Sequence, residues 1–222
     1  MANLEKYLFF NESSTSIEII KSYSHLKIIS EKDHGMYDAI NKGLSISKGD
    51  FISYLNSDDR YPEGALSRVL YEFNNDKNLD YVYGDCRLID HLENELYVYR
   101  VPPLFKSLLA KITVIPWAQP SVFYKRKVFD EIGNFDINYI FASDYHFMKR
   151  VLLSKFNGHK VNKVLSNFMK RDEALSSKYS FEVLSELMQI KNDLGIVNRP
   201  VLDFFFNSYR KIYNFHTFFK KN

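Results

Sequence analysis

The chain has 222 residues, 45% of them hydrophobic and 26% charged, with a net charge of +3. That length suffices for one well-buried domain with an appendage, and so small a charge gives no argument for a nucleic-acid partner. A single cysteine, Cys86, excludes an internal disulfide and fits a reducing compartment. No run approaches the roughly 18 apolar residues of a membrane-spanning helix, and no signal-peptide pattern opens the chain, so a cytoplasmic location is expected.

In chain order, Tyr7 to Phe10 reads as a strand. The polar turn Asn11-Glu-Ser-Ser-Thr-Ser16 then caps a helix over about 15–23, with Ile17, Ile20 and Tyr23 on its inner face. Leu26 to Ile29 is a second strand. After the turn Glu31-Lys-Asp-His-Gly35, a helix from Met36 to Ser47 places Met36, Ile40 and Leu44 on one face, with Asp38, Asn41 and Lys42 projecting from the other side. Gly49 ends that unit. Phe51 to Leu55 is an apolar run suited to a strand buried on both faces of a parallel sheet. The βαβαβ alternation predicts right-handed crossovers and an α/β fold.

Pro62 and Gly64 introduce a helix through Asn74. Tyr81 to Tyr83 is a strand ending in Gly84-Asp85, and Arg87–Ile89 with Leu96–Tyr99 reads as a hairpin around His91-Leu-Glu-Asn94. A short apolar helix spans Leu104–Ile112, and Pro116-Trp-Ala-Gln-Pro120 is a loop before the strand Ser121–Tyr124. A helix from Lys125 to Ile132 stops at Gly133, and Ser143-Asp144 opens another reaching Phe156. Lys160–Leu165 is a strand and Phe181–Leu194 a helix.

The third strand runs straight into Asn56-Ser-Asp-Asp59. Ligands collect outside the carboxyl ends of strands in open α/β sheets, and two adjacent carboxylates there suit a hard divalent cation shared with phosphates. A polar loop capping the next helix would read the same way. Asp59, as a solvent-facing loop carboxylate, is expected to add little to stability.

With these elements placed, the pattern resembles a family 2 glycosyltransferase of the GT-A fold. The resemblance is carried by Ser30-Glu-Lys-Asp-His-Gly-Met-Tyr-Asp-Ala-Ile-Asn-Lys-Gly43, Gly49-Asp50, Leu55-Asn-Ser-Asp-Asp59, Tyr83-Gly-Asp85, Gln119, Gly133-Asn-Phe-Asp136, and Ser143-Asp-Tyr145 with Arg150. It implies a mostly parallel, Rossmann-like sheet flanked by helices over residues 1–195; the composition of residues 196–222 adds an amphipathic helical tail. The resemblance further implies an inverting transfer from a nucleotide-diphosphate sugar to a saccharide or lipid-linked acceptor, as in bacterial surface-polysaccharide assembly.

Carried over residue by residue, the resemblance puts Asp58 near the ribose and Asp59 on a Mg²⁺ or Mn²⁺ that bridges the diphosphate. Asn11, Asp38, Asn41 and Lys42 line the nucleotide sugar, while Asp85, Trp117 and Gln119 lie on the acceptor side. Asp144 is the general base. Alternatives stand beside these roles: Asp144 also sits where a helix N-cap would sit, Lys42 faces phosphate or solvent, and Gln119 meets the acceptor or backbone. Arg150 is a structural partner for a carboxylate, and His25, His34 and His146 lack metal-ligand spacing.

The chain departs from the family pattern at three places. It begins where the family's second strand is about to start, and Asn11 and Ala118 replace an aspartate and a histidine. With a central strand absent, the neighbours re-pair, a second copy covers the gap as a homodimer, or the natural start lies upstream. A catalytically inactive binding or assembly module is therefore the alternative function. The tail, from Val201 to Asn222, is rich in aromatic and basic residues. As a helix it would bury Phe205, Tyr209, Ile212 and Phe219, either docked on the protein or lying on the inner face of the cell membrane.

Overall fold

The computed structural model describes residues 6–10, 26–102, 106–111, 114–115, 117–170, 181–197 and 199–215. Asn11, the helix expected over 15–23, His25 and Phe219 lie outside them. Strands β1 (Lys6–Phe10) and β2 (Leu26–Ser30) pair in parallel as a two-stranded sheet. Helix α1 (Met36–Ile46) follows. The main sheet holds β3 (Phe51–Ile52), β4 (Tyr81–Ile89), β5 (Glu95–Tyr99), β6 (Val122–Lys125) and β7 (Gly158–Met169).

The expected α/β class is the one observed, but strand directions in the main sheet are mixed rather than mostly parallel. β4 runs parallel to β7 and antiparallel to β5 and β6, and β3 is antiparallel to β6. The turn Asp90–Asn94 is too short for a parallel crossover, so β5 must return antiparallel. β3 is also shorter than Phe51–Leu55. Beyond Ile52 the chain is held by side chains, Ser53 Oγ donating to Val122 O and Tyr61 Oη to Ser53 Oγ, and Leu55 is exposed.

β4 passes through Gly84-Asp85 without stopping. Along one edge it keeps β7; along the other it pairs with β6 over Tyr81–Tyr83 and with β5 from Cys86 onward. The register with β7 shifts at Gly84 and Asp85. A Cβ at Gly84 would come within 2.6 Å of the Leu165 side chain and 2.8 Å of Lys163 O, so only glycine allows β7 this close.

Helix α2 (Ala65–Asn75) covers one face of the sheet, its Ala65, Val69 and Phe73 packing with Val82, Phe123 and Leu165. The other face carries an aromatic core against α1, α4 (Arg126–Ile132) and α5 (Ser143–Leu153). Phe147 of α5 stacks on Phe129 at 4.5 Å and meets Phe135 at 4.8 Å. Gly133, at φ 86, ends α4 in a conformation that favours glycine. In α1 the inward residue is Tyr37, with Ile40 and Leu44, and Met36 is 48% exposed. Tyr37 wins the inner position because its ring stacks on Phe135 at 5.7 Å.

A short helix, α3 (Lys106–Lys111), precedes the loop to β6. Helices α6 (Phe181–Asp193) and α7 (Pro200–Tyr213) close the described chain. α7 buries a different face from the one expected. Phe206 enters the main core with Leu202 beside it, whereas Phe205 is 64% and Ile212 71% exposed. Asn214 fixes this orientation, accepting from Arg100 N at 2.6 Å and donating to Arg100 O at 3.0 Å. No helix among the described residues is long and apolar enough to cross a membrane.

Candidate active site

Asp144 lies in the first turn of α5. Its Oδ1 accepts the Tyr145 N–H at 2.7 Å and the Tyr37 hydroxyl at 3.1 Å. Burial raises the proton affinity of this carboxyl above the usual carboxylate range, while the Tyr145 N–H and the Tyr37 hydroxyl pull it back toward the charged form. The segment leading into α5 is clamped from α6. Glu186 accepts the N–H groups of Ile140, Phe141 and Ala142 at 2.8, 2.9 and 3.0 Å. Three charge-assisted bonds at one helix entrance leave Asp144 little freedom of position.

Asp58 and Asp59 follow β3. Asp59 is buried, 7% exposed, rather than solvent-facing. Its Oδ1 accepts Met169 N at 3.0 Å, and a reciprocal pair between Arg60 and Asn167 backbones stitches the same loop to the end of β7. Tyr54 lies between β3 and this loop, its ring edge-on to Phe135 at 5.4 Å. Burial pushes its phenol well up, Asp144 adding to the effect and Asp59 adding less. Among the described residues no three His, Cys, Asp or Glu side chains cluster as a metal cage. Asp58 and Asp59 nonetheless fit a Mg²⁺ or Mn²⁺, because such ions take one or two carboxylates and complete their shell with phosphate oxygens and water.

The other described residues expected on the nucleotide side, Asp38, Asn41 and Lys42, have protein partners. Asn41 donates to Phe135 O at 2.8 Å and accepts from Phe135 N at 3.0 Å, pinning α1 to the Gly133–Asp136 segment. The Lys42 side chain, 30% exposed, is tied to carboxylates of its own turn and helix. It sits 3.0 Å from Glu31, 2.8 Å from Asp33 and 3.3 Å from Asp38, which hold its ammonium well above the usual range, Asp33 foremost. Asp38 also accepts the His34 N–H at 3.0 Å, a bond that lowers its pKa.

On the expected acceptor side, Gln119 donates to Tyr54 O at 2.8 Å. Trp117 is buried against Tyr83, ring centroids 4.3 Å apart. Asp85 accepts Val101 N at 2.9 Å and lies 4.0 Å from Lys160, and burial raises its pKa. It serves the sheet interior. Arg150 donates to the carbonyls of Ile132 and Asn134 instead of pairing with a carboxylate. His146 is buried against Tyr139, and burial lowers its pKa. Sequence reasoning missed Tyr37 and Glu186. Tyr37 lies inside the quoted motif, but nothing local distinguishes it from a core aromatic residue.

The family model described as Glycosyl transferase family 2 matches residues 5–133. An uncharacterized glycosyltransferase of Haemophilus influenzae is 23% identical over 174 residues, covering 74% of this chain and 58% of that protein. A PGL/p-HBAD biosynthesis glycosyltransferase of Mycobacterium bovis is 30% identical over 120 residues, 53% of this chain and 43% of that protein. The chain thus spans about half the length of the curated relatives it matches. Among solved structures, S. aureus TarS 1-349 in complex with UDP-GlcNAc superposes with a TM-score of 0.64 at 15% identity, over 87% of this chain and 58% of that one. The mannosyltransferase PcManGT from Pyrobaculum calidifontis, in complex with GDP-Man and Mn²⁺, gives 0.60 at 11% identity, over 94% and 61%. At these identities the likeness is one of fold.

Proposed function

The chain belongs to glycosyl transferase family 2, and on that footing we propose that it is an inverting, metal-dependent enzyme that moves a sugar from a nucleotide-diphosphate donor to a saccharide or lipid-linked acceptor in surface polysaccharide synthesis. The observation that carries this reading is the set of bonds on Asp144, fixed at a helix start by Tyr37, Tyr145 and the Glu186 clamp. Burial raises the proton affinity of this carboxylate, the direction that favours a general base. The complexes of the two structural neighbours with UDP-GlcNAc and with GDP-Man and Mn²⁺ support the donor class and the cation.

Asp144 takes the proton of an acceptor hydroxyl as that oxygen bonds to the anomeric carbon, and the bond to the diphosphate breaks on the opposite face. One displacement inverts the centre. Asp58 and Asp59 would hold Mg²⁺ or Mn²⁺ there. Bound with the diphosphate, the cation offsets the charge that grows on the leaving group.

The outward stripe of α7, with Phe204, Phe205, Ile212 and Phe215 exposed beside Arg199 and Lys211, suits the anionic inner face of the cell membrane. A second copy is the competing occupant. A catalytically inactive binding module is the second reading, favoured by the internal partners of Asn41 and Lys42.

The deciding experiment combines calorimetry with nucleotide release. Wild type should bind a nucleotide sugar in Mn²⁺ and release nucleoside diphosphate. Asp144→Asn should cut turnover about 10²- to 10⁴-fold with donor affinity unchanged. Near-wild-type turnover of the variant would remove Asp144 from the reaction, and donor binding by wild type with no turnover would establish the inactive module.

A further inference from the structure

His146 lies two residues beyond Asp144 on α5, 9% exposed, in the joint where that helix, the loop before it and α6 meet. Its ring stands edge-on to Tyr139 of the loop, centroids 5.0 Å apart. The Tyr139 hydroxyl in turn donates to Asp193 of α6. Tyr139, Ala142 and Ile190 form the buried centre of the joint, with Tyr145, Leu187 and Leu194 packed around it. Glu186, which accepts the Ile140, Phe141 and Ala142 N–H groups, lies two turns before Asp193 on the same side of α6. The clamp on the base helix therefore depends on how α6 is seated here.

The imidazole fills the joint as an uncharged ring. Its Nδ1 is buried and has no hydrogen-bond partner among the described residues. Arg150, one turn further along α5, is held beside it by the carbonyls of Ile132 and Asn134. Two carboxylates favour a charge on the ring, Asp136 of the loop and Asp193 of α6. Each already has partners, Asp136 accepting from Asn138 and Asp193 from Tyr139. Burial first, then Arg150, outweigh them and hold the imidazole pKa below its usual 6.5. A proton on this ring would put a charge, and a donor without an acceptor, inside the joint. With α6 lifted away, water solvates the ring and the proton binds freely.

We propose that His146 is a pH-sensitive latch: its neutral ring seats α6 in the joint, and its protonation lifts α6 and withdraws the Glu186 clamp from the helix that carries Asp144. The latch rests on the packing around His146; its effect on turnover rests on the glycosyltransferase reading. The open form binds the proton more readily than the seated one. Seating is therefore full above pH 6.5 and weakens as pH falls below it.

Hydrogen exchange of the full chain, followed by mass spectrometry over Ile140, Phe141 and Ala142, reads the clamp directly. Between pH 7.5 and 5.5 the opening constant of these amides, corrected for intrinsic exchange, should rise about three- to ten-fold. His146→Phe keeps a ring against Tyr139, loses no bond at Nδ1 and cannot take a proton. It should exchange like wild type at pH 7.5 and show no such rise at pH 5.5. An equal rise in wild type and variant, or none in wild type, would overturn the latch. Should phenylalanine prevent folding, His146→Gln makes the same comparison. Turnover at saturating nucleotide sugar should fall more steeply below pH 6.5 in wild type than in the variant. An exchange difference with no turnover difference would leave the latch standing and count against Asp144 as the base.

Discussion

The Tyr37 hydroxyl donates to Asp144 Oδ1 at 3.1 Å across 107 residues of sequence, and it also lies 3.4 Å from Phe141 O. This contact joins α1, whose other polar residues bind only protein, to the helix that carries the proposed base. It makes Tyr37 a positioning residue with an electrical consequence, because a hydrogen bond to the ionised carboxylate lowers its proton affinity.

Tyr37→Phe should therefore move the acid limb of the pH–turnover profile. The base works only above its pKa, and burial already holds that pKa above the usual range. Without the phenol it rises further, so the limb shifts to higher pH, by about one to two units for a bond worth about 1.5–3 kcal/mol. Tyr37 stays protonated throughout, its own pKa raised by burial. A purely structural tyrosine would change stability and leave the limb where it was.

Asp59 separates metal binding from folding through two substitutions. Asp59→Ala leaves the part-buried Met169 N–H without its acceptor and should lower the unfolding free energy by about 1 kcal/mol in urea titration. Asp59→Asn keeps an acceptor oxygen and should cost less, yet abolish Mn²⁺-dependent binding of nucleoside diphosphate in calorimetry. Equal diphosphate affinity in wild type and Asp59→Asn, with Mn²⁺ present, removes Asp59 from the cation.

Lys149 of α5 is fully buried, its Nζ 5.7 Å from the Tyr145 ring centroid. Burial lowers its pKa from 10.5 to about 8, with Asp203 of α7 opposing the shift. Between these values the unfolded chain binds the proton and the folded one does not, so this group's contribution to stability rises with pH across that window. Charging it below pH 8 costs on the order of 3 kcal/mol at most. Lys149→Met should thus be more stable than wild type at pH 7, by about 1–3 kcal/mol. The difference should shrink from pH 8 toward 10.5 in denaturant titrations. A difference that does not vary with pH would show that the lysine keeps its charge in the fold, with its pKa unshifted.

The exposed stripe of α7 is open to a test that spares the core. Deleting residues 201–222 would also remove Phe206 and Asn214, which hold the helix to the domain. Phe204→Ser with Phe205→Ser touches only residues 67% and 64% exposed. Each buried Phe is worth about 1.5–3 kcal/mol, so partitioning onto phosphatidylglycerol vesicles should fall at least ten-fold with the melting temperature unchanged. Vesicle binding that ignores the substitutions defeats this reading. Loss of a dimer in light scattering, with no vesicle binding by wild type, hands the face to a second copy.

The sequence by itself determined the α/β alternation, most element positions and the residues around which a site is built, because caps, glycine stops and apolar periodicity act over a few residues. Gly133 ends α4 for such a local reason, whereas α5 starts after Ala142 with no side-chain cap, its entrance held by Glu186. The tertiary structure decided what each side chain faces. Asp59 is buried because Met169 arrives from 110 residues away to bond it. Tyr37 displaces Met36 from the inner face because Phe135 offers a ring to stack on. In α7 both sides are apolar, so periodicity cannot choose between Phe205 and Phe206; the Asn214 bridge to Arg100 chooses. Strand direction in the main sheet was settled in the same way, by pairings between β4 and partners far along the chain that no local pattern encodes.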